Sequence, residues 1–435
     1  MRTFLIIWLG QLVSTFGSRM TSFAIQIWAW ELTGQATALT LVGFFSVLPS
    51  IFVMFFAGLI IDRWNRKWLL LIGDTVAALS TLAILCLFLT HQLQLWHIYV
   101  LGAIEGIFIE IQTLAHSASI ALLVSKHQYG RASSLNASIH YGAIILAPAL
   151  AGGLYAAIGL GGIAVIDLIA FVIALITVLP MQIPQLEVSQ KDHQTATTIW
   201  HQLVFGFRYI AARPGLRVMV VLMSLFWFAH DVGGAVYAPL ILARTGNDAR
   251  ILGTIASAAG LGGVTGALIL SVWGGPKRRI HGVLLGMIGA GLSKTIFGLA
   301  RMPSVWFPAQ FCSSLNFPLL TSSEQAIWIA KVNPDVQGRV LAARSLILQF
   351  ISAIALLIAG PLADRVFEPA MMTTHGLTSI FSGIVGTGKG AGVALLYIIT
   401  SLGLILVGLG GYAFSIVRQV ERTLPDHDAT STKRN

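Results

Sequence analysis

Twelve apolar stretches of about 20 residues or more run along the 435-residue chain and constrain its fold more than any other feature. A stretch of this length crosses the roughly 30 Å hydrocarbon core of a bilayer as an α-helix. Hydrophobic residues make up 56% of the sequence and charged residues 10%, whereas soluble domains average about 25% charged. The sequence therefore predicts an all-α polytopic membrane protein with twelve transmembrane helices. The predicted spans are 4–31, 37–61, 68–90, 97–123, 134–157, 160–180, 215–243, 250–273, 281–300, 303–330, 339–362 and 391–417.

A polar segment divides these stretches into two groups of six. Its end, from Ile199 to Ala212, carries apolar residues at helical spacing and predicts an amphipathic helix on the membrane face. We expect an N-terminal six-helix bundle over 1–180, a cytoplasmic linker over 181–214, a C-terminal six-helix bundle over 215–417 and a cytoplasmic tail over 418–435.

The two halves carry matching landmarks. A basic loop follows the second helix of each half, at 62–67 and 274–279, and a Gly-Arg pair follows the fourth helix, at 130–131 and 338–339. Six-helix halves repeated in parallel are the plan of one large transporter class, whose substrate site lies between the halves near the membrane centre. The pattern predicts two such bundles around a central cavity, and the polar content of helices 1, 4, 7 and 10 predicts that these helices line it.

The basic residues predict the orientation. With the N-terminus in the cytoplasm, 20 of the 27 Lys and Arg residues, Arg344 among them, fall on the cytoplasmic side and 5 on the outer side. Basic residues collect in cytoplasmic loops, so both termini are expected in the cytoplasm, with the protein in the plasma (inner) membrane. The same bias accounts for the net charge of +10 without nucleic-acid binding.

The loop after the second helix is the most specific motif. It reads Gly58-Leu59-Ile60-Ile61-Asp62-Arg63-Trp64-Asn65-Arg66-Lys67. Asp62 can pair with a cation or with a helix N-terminus, and the basic residues can hold helix-end carbonyls or lipid phosphates. A simple positive-inside loop is the alternative interpretation. The pattern resembles the G-x-x-x-D-R-x-x-R-K loop of the major facilitator superfamily. This resemblance implies a conformational switch formed by Gly58, Asp62, Arg63, Arg66 and Lys67.

Other segments extend the resemblance over about residues 4 to 417. They are 28–34, reading W-A-W-E-L-T-G, 147–153 in the fifth helix, Asp167 in the sixth, 334–340 and 360–369. Together they resemble the macrolide-efflux and enterobactin-exporter branch of the superfamily, which implies export driven by a proton gradient. Ala147 stands where the antiporter motif G-P-x-x-x-G has its first glycine, and Glu105 lies near the position of a family arginine.

The first helix carries a polar stripe that we expect to face the cavity, with the opposite apolar face in lipid. Interhelical hydrogen bonds are the alternative for its serines and threonines, but they do not explain Arg19, because a charge at the bilayer centre costs at least about 2.5 kcal/mol. The stripe comprises Gln11, Ser14, Thr15, Ser18, Arg19, Ser22 and Gln26, and the apolar face comprises Leu9, Phe16, Met20, Phe23 and Ile27.

Ionisable residues inside the predicted helices are the candidates for the transport site, because intramembrane charges are usually functional. For proton coupling we select Glu105, Glu324 and Asp231. Structural ion pairs, Arg19 with Glu105 or Lys294 with Glu324, are the alternative. Asp74 and Asp167 have equally good structural explanations. The candidates that line the substrate cavity are Arg19, Gln26, Gln112, His116, Trp227, His230, Tyr237, Lys294 and Asn316.

The remaining patterns favour no enzyme and no cofactor. Residues 383–390 imitate a phosphate-binding loop, but Gly390 replaces the hydroxyl residue that holds magnesium. No metal-ligand spacing or nucleophilic triad is present. We expect a monomeric secondary transporter whose partners are a small amphipathic substrate (a drug-like compound or a siderophore), protons and membrane lipids. A non-transporting membrane sensor or scaffold with a transporter fold is the alternative.

Overall fold

A computed structural model describes residues 2–63, 65–123, 128–180, 196–372 and 377–423, and these residues form helices and short connections without a strand. The long helices are α1 (Arg2–Thr33), α2 (Ala36–Arg63), α3 (Arg66–Leu89), α4 (Leu95–Leu123), α5 (Tyr129–Val178), α6 (Ala196–Ala211), α7 (Pro214–Thr245), α8 (Ala249–Trp273), α9 (Arg279–Leu299), α10 (Pro303–Lys331) and α11 (Pro334–Pro361). A π-helical turn (Leu362–Phe367), α12 (Glu368–Met372), α13 (Leu377–Val385), α14 (Ala391–Ala413), α15 (Ser415–Arg418) and α16 (Val420–Thr423) complete the described chain.

The predicted all-α membrane fold is confirmed, and the count of twelve spans stays a prediction. Within the described residues, nine helical stretches are long and apolar enough to cross a membrane. The more polar α1 and α10 are not among the nine. One stretch, 142–178, contains Gly159, whose φ of 60° and ψ of −167° interrupt the helix between the predicted fifth and sixth spans. A residue with a side chain rarely adopts that φ, so glycine permits the break.

The helices pack into two units, of which the first comprises Met1–Thr195 and Thr245–Ser257. In it α1 packs along α5, α2 packs on α4, and α3 packs on both α4 and α5. The first two turns of α8 lie against α5 so closely that a Cβ atom at Gly152 would meet the carbonyl oxygen of Ala249. Gly253 lies equally close to the carbonyl of Pro148. Small residues allow this approach of two backbones, which is typical of helices in membranes.

The second unit comprises Ala196–Arg244 and Ala258–Asn435. In it α9 packs between α10 and α14, and a large apolar core forms around Met219, Phe226 and Met287, all at most 1% exposed. The predicted amphipathic helix is present as α6, but it packs on α11. Ile210 of α6 is 4% exposed and belongs to this core, so the expectation that its apolar face lies on the membrane is wrong at that residue.

Candidate functional site

A cavity of about 750 Å³ in the second unit is bounded by α7, α10 and α11. Its walls combine one tryptophan, two carboxylates, one guanidinium and two amides. These side chains belong to Trp227, Asp231, Glu324, Gln325, Arg344 and Gln349. The sequence predicts three of them, Trp227, Asp231 and Glu324, as site residues. An apolar pocket with a few convergent polar groups is the usual form of a small-molecule site.

Glu324 is held by a network that the sequence did not predict. Its carboxylate forms an ion pair with Arg344 of α11 and accepts a hydrogen bond of 2.9 Å from Nε1 of Trp328. The guanidinium of Arg344 lies over the Trp328 ring, 5.4 Å from its centroid, and Nη1 donates to Gln325 Oε1 at 3.3 Å. The alternative ion pair of Glu324 with Lys294 does not form, because Arg344 is the partner of Glu324 in the structure. Arg344 therefore belongs to the charged network of this cavity.

Asp231 belongs to a second charged group on the same cavity. Its Oδ1 lies 3.0 Å from Nδ1 of His230, and its charge attracts the ammonium group of Lys294, which is 6% exposed. The ammonium also lies 5.5 Å from the ring centroid of Tyr397. A buried charge is tolerated when opposite charges and π faces offset its desolvation.

Aromatic rings surround His230. The ring centroids of Phe226, Trp227 and Phe317 lie 6.1, 5.1 and 4.9 Å from the imidazole centroid. Stacked and edge-to-face rings fix the orientation of the imidazole and present apolar surface beside Asp231. The structure thus brings together Trp227, His230 and Lys294 from the predicted cavity set with the proton-coupling candidate Asp231.

Two further predicted cavity residues of the second unit have separate surroundings. Tyr237 packs its ring 5.8 Å from that of Phe297, and its hydroxyl has no hydrogen-bond partner among the described residues. Asn316 donates from Nδ2 to the carbonyl of Cys312 on its own helix at 2.7 Å. Neither side chain lines the cavity of 750 Å³.

In the first unit the polar stripe of α1 binds neighbouring helices. Asp74 of α3 accepts hydrogen bonds from Gln11 at 2.9 Å, from Gln112 of α4 at 2.7 Å and from Ser14 at 3.4 Å. The Asp74 side chain is buried, at 7% exposed. Within the described chain, all of its hydrogen-bond donors are neutral. Gln112, a predicted cavity residue, is therefore engaged in helix packing.

Asp167 repeats this arrangement one turn further along the unit. It accepts hydrogen bonds from Thr81 of α3 at 2.8 Å and from Ser18 of α1 at 3.2 Å. The alternative of interhelical hydrogen bonds thus accounts for Ser14 and Ser18. The expectation that the apolar face of α1 lies in lipid is wrong for Met20, Phe23 and Ile27, which are all buried.

Glu105 differs from the other carboxylates. It is half-buried on α4 and has neither a hydrogen bond nor an ion pair with any residue in the described ranges. The hypothetical pair with Arg19 does not form there, and the Arg19 side chain is exposed. Gln26 and His116 are both half-buried. Glu105 is thus the predicted coupling residue without a fixed cationic partner in the parts of the chain described.

The conformational-switch loop is described in part. Asn65 caps α3 by accepting a hydrogen bond of 2.9 Å from the backbone N–H of Lys67, and Nζ of Lys67 donates to the carbonyl of Leu179 at 2.6 Å. A basic residue thus holds a carbonyl at the end of α5. The side chains of Asp62, Arg63 and Arg66, together with the surroundings of position 58, lie outside the described residues.

The glycine-rich segment before α14 is fixed by side chains at both ends. The carboxylate of Glu368 accepts hydrogen bonds from the N–H groups of Gly390 at 2.6 Å and Val393 at 3.2 Å, which caps α14. Arg244 at the end of α7 donates to the carbonyls of Ala300 at 2.7 Å and Val385 at 2.8 Å. This segment forms the end of α13, a short connection and the start of α14.

Comparison with known proteins identifies the family. The family description of the Major Facilitator Superfamily matches residues 7–355. Macrolide efflux protein A of Streptococcus pyogenes is 27% identical over 370 residues, which cover 83% of this chain and 90% of that protein. Enterobactin exporter EntS of Escherichia coli O1:K1 / APEC is 26% identical over 260 residues, 59% of this chain and 60% of that protein.

A solved structure agrees with the fold. The crystal structure of nucleoside transporter NupG superposes with a TM-score of 0.68 at 12% identity, covering 95% of this chain and 99% of that one. The resemblance inferred from the loop after the second helix and from the segments in α5 and α11 is confirmed. The chain belongs to the Major Facilitator Superfamily of membrane transporters.

Proposed function

We propose that the protein exports a small amphipathic organic molecule in exchange for protons by alternating access. The cavity beside Asp231 and Trp227 carries the proposal, because it combines aromatic surface with charged groups inside a membrane-spanning bundle. The relatives named for macrolide efflux and enterobactin export support an amphipathic cargo such as a drug-like compound or a siderophore.

The surroundings of the three candidate carboxylates rank them for proton coupling. Glu324 is neutralised by Arg344, and Asp231 is next to His230 and Lys294, whereas Glu105 has no such partner among the described residues. A coupling group must bind and release a proton as access changes. Each inward proton gains about 2.3 kcal/mol per 100 mV of membrane potential. Glu105 is therefore our first candidate. Asp231 is the second, because protonation of its carboxylate would release His230 and Lys294 to other partners.

Everted membrane vesicles that are acidic inside test this function. An exporter should accumulate a labelled macrolide or a catecholate siderophore in the lumen, and a protonophore should abolish the accumulation. Glu105→Gln should still bind the ligand but lose uphill accumulation, and its binding should no longer depend on pH near neutrality. Glu110→Gln is the matched control, because it changes the other carboxylate of α4.

Other outcomes would reject the proposal. A folded protein that moves neither ligand nor protons would favour the sensor or scaffold. Transport that is indifferent to the pH gradient would reject proton exchange. Wild-type uphill transport by Glu105→Gln, Asp231→Asn and Glu324→Gln would remove these carboxylates from coupling.

A further inference from the structure

A second cavity, of about 300 Å³, lies in the second unit where the end of the described chain meets the start of α9. Three arginines line it, together with one glutamine and one glutamate. These residues are Arg278, Arg418, Gln419, Glu421 and Arg422. They come from the α8–α9 connection and from the short helices α15 and α16. This cavity is separate from the candidate transport site.

The single carboxylate of this cavity is already engaged. Glu421 Oε2 accepts a hydrogen bond of 3.0 Å from the backbone N–H of Ile280 in the first turn of α9. The backbone carbonyl of Glu421 accepts from Nζ of Lys331 at the end of α10. These contacts attach α16 to α9 and α10 and hold Arg422 at the cavity. The carboxylate acts as an N-terminal cap of α9, a position that favours negative charge.

The three arginines, in contrast, have guanidinium N–H donors that no residue in the described ranges accepts from. The guanidinium groups of Arg278 and Arg422 make no hydrogen bond or ion pair with residues in the described ranges, and Arg418 uses Nη1 for one contact of 3.3 Å with the carbonyl of Tyr412. The cavity thus contains three guanidinium groups and one carboxylate. Planar guanidinium donors match the oxygen atoms of a phosphate in pairs, so a phosphate monoanion or diester suits these walls.

Exposed apolar residues beside the cavity indicate which phosphate compound fits. Phe414 is 66% exposed and Ile416 is 41% exposed, and both lie between the end of α14 and Arg418. The rings of His281 and Tyr412 stack at a centroid distance of 5.6 Å on the α9 side. Aromatic residues at the end of a membrane-spanning helix are typical of the headgroup level. A free phosphate would use the arginines alone, whereas a phospholipid would also cover the apolar side chains.

We propose that this arginine cavity binds the phosphate of an anionic phospholipid, with its acyl chains along Phe414 and Ile416. From the basic-residue bias, the lipid belongs to the cytoplasmic leaflet. Bound there, it would join α9 to the chain after α14. The proposal is independent of the transported substrate, so its test and that of the transport function have separate outcomes.

Native mass spectrometry of the purified full-length protein with phosphatidylglycerol or phosphatidylcholine tests the site. The wild type should bind phosphatidylglycerol more tightly. The double variant Arg278→Gln/Arg422→Gln should lower that affinity by roughly 25-fold, because each basic residue at an anionic lipid contributes about a factor of five. Arg217→Gln/Lys277→Gln is the control, since it removes two charges that do not line the cavity. The control should retain the wild-type preference.

Three results would overturn the proposal. One is an unchanged preference for phosphatidylglycerol in the arginine double variant, and another is an equal loss in the control. The third is displacement of the lipid by millimolar inorganic phosphate, which would make a free anion the occupant. If the glutamine variant does not fold, Arg278→Lys/Arg422→Lys keeps both charges without the paired donors. This lysine variant should weaken lipid binding less than the glutamine variant is expected to. Unchanged binding would reject the guanidinium contacts.

Discussion

Arg344 of α11 and Glu324 of α10 form an ion pair in the wall of the large cavity, where 14% of the Arg344 side chain and 2% of the Glu324 side chain are exposed. Trp328 contributes to both partners, because its indole N–H donates to the carboxylate while its ring lies beneath the guanidinium. Two helices are thereby joined by one charged contact, and the carboxylate keeps a fixed position.

Breaking this pair on one side should destabilise the protein. Glu324→Gln leaves the Arg344 charge without its partner, and losing one member of a buried pair costs about 3–5 kcal/mol. Thermal unfolding in detergent should show a lower transition temperature for Glu324→Gln and for Arg344→Gln. The double variant should recover part of the loss, since no uncompensated charge remains. A Glu324→Gln protein as stable as the wild type would contradict a structural role for the pair.

Asp74 should tolerate an amide but not an apolar residue. Asp74→Leu leaves the side-chain donors of Gln11 and Gln112 unpaired in a buried position, at about 1–3 kcal/mol for each donor. Asp74→Asn retains an acceptor oxygen and should keep most of the stability. Circular dichroism during heating compares the two variants. Equal stability of Asp74→Leu and the wild type would show that the hydrogen bonds contribute nothing.

Asp62→Asn should impair transport far more than membrane insertion. The family loop is proposed to bias an equilibrium between two access states, and removal of one charge shifts that equilibrium without removing apolar surface. Uptake into everted vesicles, normalised to the amount of protein in the membrane, measures the effect. Asp335→Asn provides the same change in the first turn of α11 as a control. Wild-type uptake by the Asp62 variant would exclude the loop from the transport cycle.

Thiol labelling of intact cells should reveal the orientation. Cysteines placed at His127 and Pro276 should be protected from an impermeant reagent, and one at Gly376 should react. Cys86 and Cys312 are free and exposed, so both must first be replaced by serine. The reverse labelling pattern would invert the proposed topology.

Much of the fold was predictable because its signals are local. An apolar stretch must form a helix in a membrane to satisfy its own backbone, so spans could be predicted without knowledge of their neighbours. The charged residues of α7 and α10 were also predictable, since Asp231 and Glu324 stand out in apolar sequence. Both line the same cavity in the structure.

Partner choice was not predictable, because it depends on how helices pack. Glu324 and Arg344 are 20 residues apart and meet only because the chain turns back between α10 and α11. A signal was present, since Arg344 lies about three turns into α11, within the predicted span 339–362. Likewise, helical periodicity showed that α1 has a polar face, but only the position of Asp74 explains why Gln11 and Ser14 of that face are buried.

The guanidinium of Arg244 has a mechanical consequence for the second unit. It joins the end of α7 to the last carbonyls of α9 and α13, and Glu368 fixes the start of α14 nearby. Helix ends that are hydrogen-bonded to one guanidinium cannot move apart without breaking those bonds, so these helices are more tightly coupled at that end than their connections alone require. A displacement of α7 at this end would therefore have to carry α9 and α13 with it or break the hydrogen bonds of Arg244.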